Sequence, residues 1–272
     1  MNAIVAVISD THINSTVGLC VPSINLDDGG TYRASKAQRW LWNNWKSFWD
    51  DVALEKKRLK YPVVVVANGD ISDDNNHGST QLITKNKSDI IRMSYEALKP
   101  CLDIADHVFI TRGTEAHVGA SSSIEEIIAR DIGAHGEPLR NTNTWWWIRA
   151  KFGGVSFDIA HHPGTGSMSP HLRHGPAGRV AARIIHDYAD MRELPPDIAI
   201  RSHNHTFSDS GENYACRVII TMPWQLTTAF GHRIGYSGRV HPVGGLIFIC
   251  EDGRYSLNIR KYQAKPKKYI TI

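Results

Sequence analysis

With 272 residues, 42% of them hydrophobic and 21% charged, the chain is long and apolar enough to bury a full core and has the make-up of an ordinary globular protein. A net charge of +4 is mildly basic, which permits an anionic substrate without requiring nucleic acid. No apolar run approaches the ~20 residues of a membrane span, and four scattered cysteines with no C-x-x-C pair argue against a disulfide scaffold and against a zinc ribbon.

The opening MNAIVAVISD lacks a basic leader and a cleavage site. It is predicted to be a buried strand over Ala3 to Ile8, and a reducing cytoplasm is the expected location. A long helix follows over about Arg33 to Leu59. Its Leu41, Trp45, Phe48 and Val52 recur at helical spacing with Trp42 and Trp49 beside them, a stripe that reads as core rather than as a base-stacking surface. YPVVVVAN (61–68) is apolar on both faces, as a central strand would be, and HVFITRG (107–113) is a third strand. The second half is richer in strands. TWWWIRAKFGGVSFDIAHH (144–162) reads as a hairpin turning at Gly153-Gly154, and DIAIRS (197–202) and ACRVIITMP (215–223) as further strands. GLIFICEDGRYSLNIRKY (245–262) is a hairpin turning at Asp252-Gly253. Between His162 and the Pro195-Pro196 break lies a loop and short helix, with Val180, Ile184 and Tyr188 on the inner face. The expectation is one α/β domain over residues 1–272, two packed mixed β-sheets flanked by helices, with a loop–helix insert at 163–195 and a basic tail at 263–272.

The chemistry collects at strand ends. The first strand runs into Asp10 and His12, the second into Asp70 with Asp73 three residues on, and the third into Glu115 and His117. The hairpin delivers His161 and His162, and the next strand His203 and His205. Five apolar strands each end in Asp, Glu or His, the residues that bind first-row divalent metals, and the binding crevice of an open α/β sheet lies beyond such ends.

These motifs, in this order, resemble the calcineurin-like metallophosphoesterase superfamily: Asp10-x-His12, Gly69-Asp70-x-x-Asp73, a Gly-rich turn with a histidine, a histidine before Pro163, and His203-x-His205. The resemblance implies a four-layer sandwich holding two divalent metal ions, Mn²⁺ first among candidates with Fe or Zn²⁺ as alternatives. Asp10, His12 and His205 would hold one ion, His161 and His203 the other, and Asp70 both. His161 is preferred to His162 because the family register is His-x-Pro. Asp73 and His162 then stand outside the ligands and orient them. One departure stands out. Where the family has Gly-Asn-His and an acid, this chain reads Gly113-Thr114-Glu115-Ala116-His117. Either Glu115 supplies the missing oxygen ligand, or the second site fills only with substrate. His117 is the candidate to protonate the leaving oxygen or to steady the phosphoryl charge.

The implied activity is hydrolysis of a phosphate ester by hydroxide generated between the metals, leaning to a phosphodiester of nucleotide or nucleic-acid type. Consistently, the chain has neither a G-x-S-x-G elbow nor a phosphate-binding G-x-x-x-x-G-K-[ST] loop. Three features point to such a substrate: the cations His171, Arg173, His174, Arg179 and Arg183 of the insert, the basic C-terminal end, and Trp224, where a base could stack. Each also reads as a solvated loop, an ordinary charged terminus or a capping aromatic. The alternatives are a phosphomonoesterase, including a protein phosphatase (disfavoured because Gly69-Asp70 lacks the following Asp-Arg-Gly), and a non-catalytic scaffold on the same fold. No membrane association is expected, and no protein partner is legible.

Overall fold

The computed structural model describes residues 2–74, 78–164, 175–234 and 241–265. In chain order, β1 (Ala3–Ile8) leads to a small hairpin of β2 (Ser23–Asn25) and β3 (Thr31–Arg33), then to helix α1 (Lys36–Leu59). Next come β4 (Val63–Asn68), α2 (Lys87–Leu102), β5 (His107–Thr111), the single turn α3 (Glu115–Val118) and α4 (Ser123–Asp131). The second half holds β6 (Ile148–Phe152), β7 (Val155–Ile159), α5 (Gly175–Asp190), β8 (Ile198–Arg201), β9 (Ser208–Asp209), β10 (Arg217–Ile220), α6 (Ala229–Arg233), β11 (Val243–Glu251) and β12 (Arg254–Tyr262).

Among the described residues these strands form two mixed five-stranded sheets, ordered β12-β11-β1-β4-β5 and β6-β7-β8-β10-β9. The antiparallel edge of the first sheet is the hairpin read at Asp252-Gly253, and that of the second turns at Gly153-Gly154 as expected. Strands β1, β4 and β5 run parallel, as do β7, β8 and β10, so their C-terminal ends face one crevice.

Layering follows from the two-residue period of a strand. In β1, Ile4, Ala6 and Ile8 pack with Leu41, Trp45 and Phe48 of α1 and with Met93 and Ala97 of α2, while Val5 and Val7 pack with Phe157, Ile198 and Ile200 of the other sheet. In β4 the alternation is the same: Val63 and Val65 face the helices, Val64 and Val66 the second sheet. The far side of the second sheet is covered by Ala177, Val180, Ala181 and Ile184 of α5. The result is the expected α/β/β/α sandwich.

The tryptophan stripe of α1 belongs to the core. Trp45 is fully buried, donates its indole N–H to the Ala97 carbonyl at 3.0 Å, and meets Trp49 and Trp224 edge-on. Ser35 starts the helix with a reciprocal capping box to Gln38, which is why it begins at Lys36 rather than Arg33. Among the described residues no helix is long and apolar enough to cross a membrane, and all four cysteines are free and buried.

Candidate metal centre

Three of the strand ends, those of β1, β4 and β8, deliver their side chains by a sharp change of backbone direction. Asp10, His12, Asp70, His203 and His205 all have positive φ, between 40° and 71°. A non-glycine residue held there costs of order 1–3 kcal/mol, and such residues gather where function demands a geometry. Backbone bonds tie the ends together: Asp10 N–H to the Gly69 carbonyl, His12 N–H to the Asp70 carbonyl, and Ser202 N–H to the His161 carbonyl.

Beneath the ligands runs a chain of buried polar groups that crosses both sheets. Ser9 and Ser202 both bond the Thr221 hydroxyl, at 2.6 and 2.8 Å. The Asn68 amide donates to Ser202 Oγ at 2.6 Å and its Oδ1 accepts from Thr111 at 2.7 Å. None of these residues was singled out from the sequence. Their one signal is position: Ser9, Asn68, Thr111 and Ser202 each lie within three residues of a motif residue, and Thr221 directly follows β10.

Four donor groups have ligand atoms within 4.8 Å of one another: Asp10/His12/His205, Asp10/Asp70/His161, His12/Asp70/His117 and His161/His162/His203. Six residues expected as ligands, Asp10, His12, Asp70, His161, His203 and His205, are thus brought together. His12 Nε2 and His205 Nε2 face each other at 3.1 Å, and His205 Nε2 stands 3.3 Å from Asp10 Oδ1. His161 Nδ1 must donate to the Asn68 carbonyl at 2.7 Å, since a carbonyl only accepts, and this aims Nε2 at Asp70 Oδ2, 3.0 Å away. Buried Asp10 Oδ2 has no hydrogen-bond partner among the described residues. A carboxylate left so in a protein interior is costly unless a cation meets it, and imidazole nitrogens converging beside it complete a donor set for first-row divalent ions.

The protonation states agree with that reading. Burial pushes Asp10 up, but His205 and His161 outweigh it and bring the carboxyl down to about 2. Burial likewise acts upward on Asp70, and His161 and His12 hold it well below the usual carboxylate range. His12 is pushed down to about 3 by burial and by His117, so it is a neutral imidazole with a lone pair to give. His161 is driven up to about 10, against the effect of burial, by Asp70. A bound cation would displace that proton.

Two expectations are corrected. Glu115 is exposed, and its Oε1 accepts from the Ser121 N–H at 3.3 Å. Helix α3 begins at Glu115, so Thr114 is the last extended residue and the one that points inward. Its hydroxyl lies 3.0 Å from His203 Nδ1 and 3.3 Å from both His162 Nε2 and Asp70 Oδ2. Thr114, not Glu115, faces the cluster. Trp224 is fully buried between Trp45, Phe48 and Tyr262, so it presents no face to a base. Its backbone alone touches the site, through its N–H to the Asp10 carbonyl.

Asp73 stands beside the cluster, 3.4 Å from His117 Nδ1. His117 is partly exposed and edge-on to His12 at 4.4 Å. Burial acts downward on His117, but Asp73, Asp70 and Asp10 outweigh it and hold its imidazole above the ordinary range. His162, expected outside the ligands, lies within the donor group of His161 and His203. A residue the motifs missed is Glu125 of α4, fully buried, which accepts from the Ile71 N–H at 3.1 Å and the Gly113 N–H at 2.7 Å and so ties the ends of β4 and β5. Arg173 and His174 lie outside the described residues, as do His171, Lys267 and Lys268. Arg179 is exposed, Arg183 turns back to the Gly164 carbonyl, and Arg260 pairs with Asp51 at 2.9 Å.

No protein-family model and no curated protein matches the chain. Solved structures similar to it include a dimetal phosphatase of Danio rerio (9% identity, 97% of this chain and 99% of that one, TM-score 0.49). Vps29 of Entamoeba histolytica, as a single mutant, is another (10% identity, 96% and 99%, TM-score 0.44). So is Vps29 of Cryptosporidium parvum (10% identity, 97% and 99%, TM-score 0.44). The likeness is one of fold alone, and the centre stands on its own geometry.

Proposed function

We propose that the protein is a dinuclear metal-dependent phosphoesterase, with a phosphodiester of nucleotide or nucleic-acid type as the substrate to try first. The observation that carries this is the convergence of Asp10, His12, Asp70, His161, His203 and His205 at the ends of four strands. Asp10, His12 and His205 would hold one ion, His161 and His203 the second, and Asp70 would be shared. Bound ions would supply Lewis acidity for the phosphoryl oxygens and ionise water near neutral pH. His117, at the open side of the cluster and turned by Asp73, is the group to give a proton to the leaving oxygen.

The test is hydrolysis of bis-p-nitrophenyl phosphate against p-nitrophenyl phosphate by metal-stripped protein reloaded with Mn²⁺, beside Asp70→Asn. Metal-dependent diester turnover that vanishes in the variant is the expected result. Monoester turnover alone would make the protein a phosphomonoesterase, and no turnover of either by metal-loaded protein would overturn the catalytic reading.

A further inference from the structure

The two halves of the cluster are chemically unequal. Around the first position stand two carboxylates, Asp10 and Asp70, with the imidazoles of His12 and His205. Around the second stand three imidazoles, of His161, His162 and His203, with the shared Asp70, while Asp10 Oδ1 reaches only His161, 4.0 Å from its Nε2. Thr114 adds a neutral hydroxyl, and Glu115, which would have added an anionic oxygen, faces Ser121 instead.

His162 is the unexpected member. It is exposed, yet its ring stands 4.6 Å from that of His203 and edge-on to His161 at 4.9 Å, centroid to centroid. Its Nε2 meets the Thr114 hydroxyl, which bonds His203 as well. Ligand nitrogens of His161, His162 and His203 lie within 4.8 Å of one another, and two of the three rings bond the Thr114 hydroxyl. Imidazole-rich sets favour the later divalent ions, whereas carboxylate oxygens suit Mn²⁺ and Mg²⁺.

We propose, resting on the dinuclear reading, that His162 is a ligand of the second ion, and that this three-imidazole site selects Zn²⁺ or Co²⁺ over Mn²⁺ while the carboxylate-bearing first site accepts Mn²⁺. The protein then holds a mixed pair, with Thr114 in place of a carboxamide ligand as the cause of the sorting.

The experiment offers metal-stripped full-length protein Zn²⁺ and Mn²⁺ together, desalts it, and measures the metal content. Calorimetric titration with each ion follows, for wild type, His162→Ala and His162→Gln. Offered one equivalent of Zn²⁺ with Mn²⁺ in excess, wild type should retain one Zn and one Mn per chain. Both variants should bind the Zn equivalent at least about tenfold more weakly, with Mn²⁺ binding unchanged. Because His162 is exposed, both variants should fold, and a melt of the metal-free proteins verifies it. Unaltered Zn²⁺ affinity in both variants, with two ions still bound, would overturn the role of His162 and leave the dinuclear reading intact. Two Mn per chain retained by wild type in the presence of Zn²⁺ would overturn the selectivity. Failure of wild type to bind either ion would bring down the dinuclear reading and this inference with it.

Discussion

The backbone N–H of Thr114 donates to Asp70 Oδ1 at 2.6 Å, so the turn that ends β5 orients the carboxylate that ends β4. Gly113 makes this approach possible: a Cβ there would meet both the Asp70 nitrogen and Oδ1 at 2.3 Å. Gly113→Ala should therefore fold yet displace Asp70, lowering turnover of the aryl phosphodiester by about 100-fold, the usual cost of a displacement near 1 Å. Steady-state kinetics with a circular-dichroism melt will separate the two effects, and wild-type turnover would show that this turn does not set Asp70.

Removal of metal should destabilise the protein, because Asp10 Oδ2 is buried with no hydrogen-bond partner among the described residues and needs a cation. Adding Mn²⁺ or Zn²⁺ to chelated protein at about 100 times the dissociation constant should contribute about 2.7 kcal/mol and raise Tm by about 5–10 °C. Calorimetric scans over a series of metal concentrations will show whether Tm climbs with the logarithm of concentration.

Glu125 supplies a pH dependence. Burial and the Asp70 charge push its carboxyl up to about 7 from an ordinary 4.5. A carboxyl with a raised folded value favours folding while protonated, so its contribution is full below about 4.5 and is lost as pH rises through about 7. Chelated wild type should lose stability across that window, and Glu125→Gln should lose less across it. The change of denaturation midpoint with pH is the quantity to compare, since the variant also gives up one of two accepted N–H bonds and will be weaker at every pH.

Trp224 should prove to be a core residue. Trp224→Ala should cost about 3–5 kcal/mol of stability, as truncating a buried aromatic does, while Trp224→Phe costs less. At a temperature where the variants remain folded, KM for the phosphodiester should match wild type. A raised KM without loss of stability would restore the base-stacking role.

The apolar runs and their punctuation were legible in the sequence. VVVVAN, DIAIR and the two hairpins became strands where their composition put them, because a segment buried on both faces must be apolar throughout and a glycine pair must turn. Asp10, His12, Asp70, His161, His203 and His205 were legible as a set because parallel strands release their ends on one side. Helix α2 over Lys87–Leu102 and the hairpin of β2 and β3 were not anticipated. The hairpin strands have three residues each, and α2, whose Ile90, Met93, Ala97, Leu98 and Cys101 recur at helical spacing, carries no motif.

Tertiary structure alone chose between neighbours. Thr114 and Glu115 differ by one position, and only the start of α3 at Glu115 turns one inward and the other to solvent. Trp224 follows a strand that borders the site, but its ring is drawn into the layer between α1 and the first sheet. His161 and His162 are adjacent, and both rings reach His203 because the chain leaves its extended form just after β7. The residue types and their order settle which chemistry is available. Which atoms meet is a matter of backbone direction within one or two residues of a strand end, where left-handed conformations at Asp10, His12, Asp70, His203 and His205 are held by contacts distant in sequence.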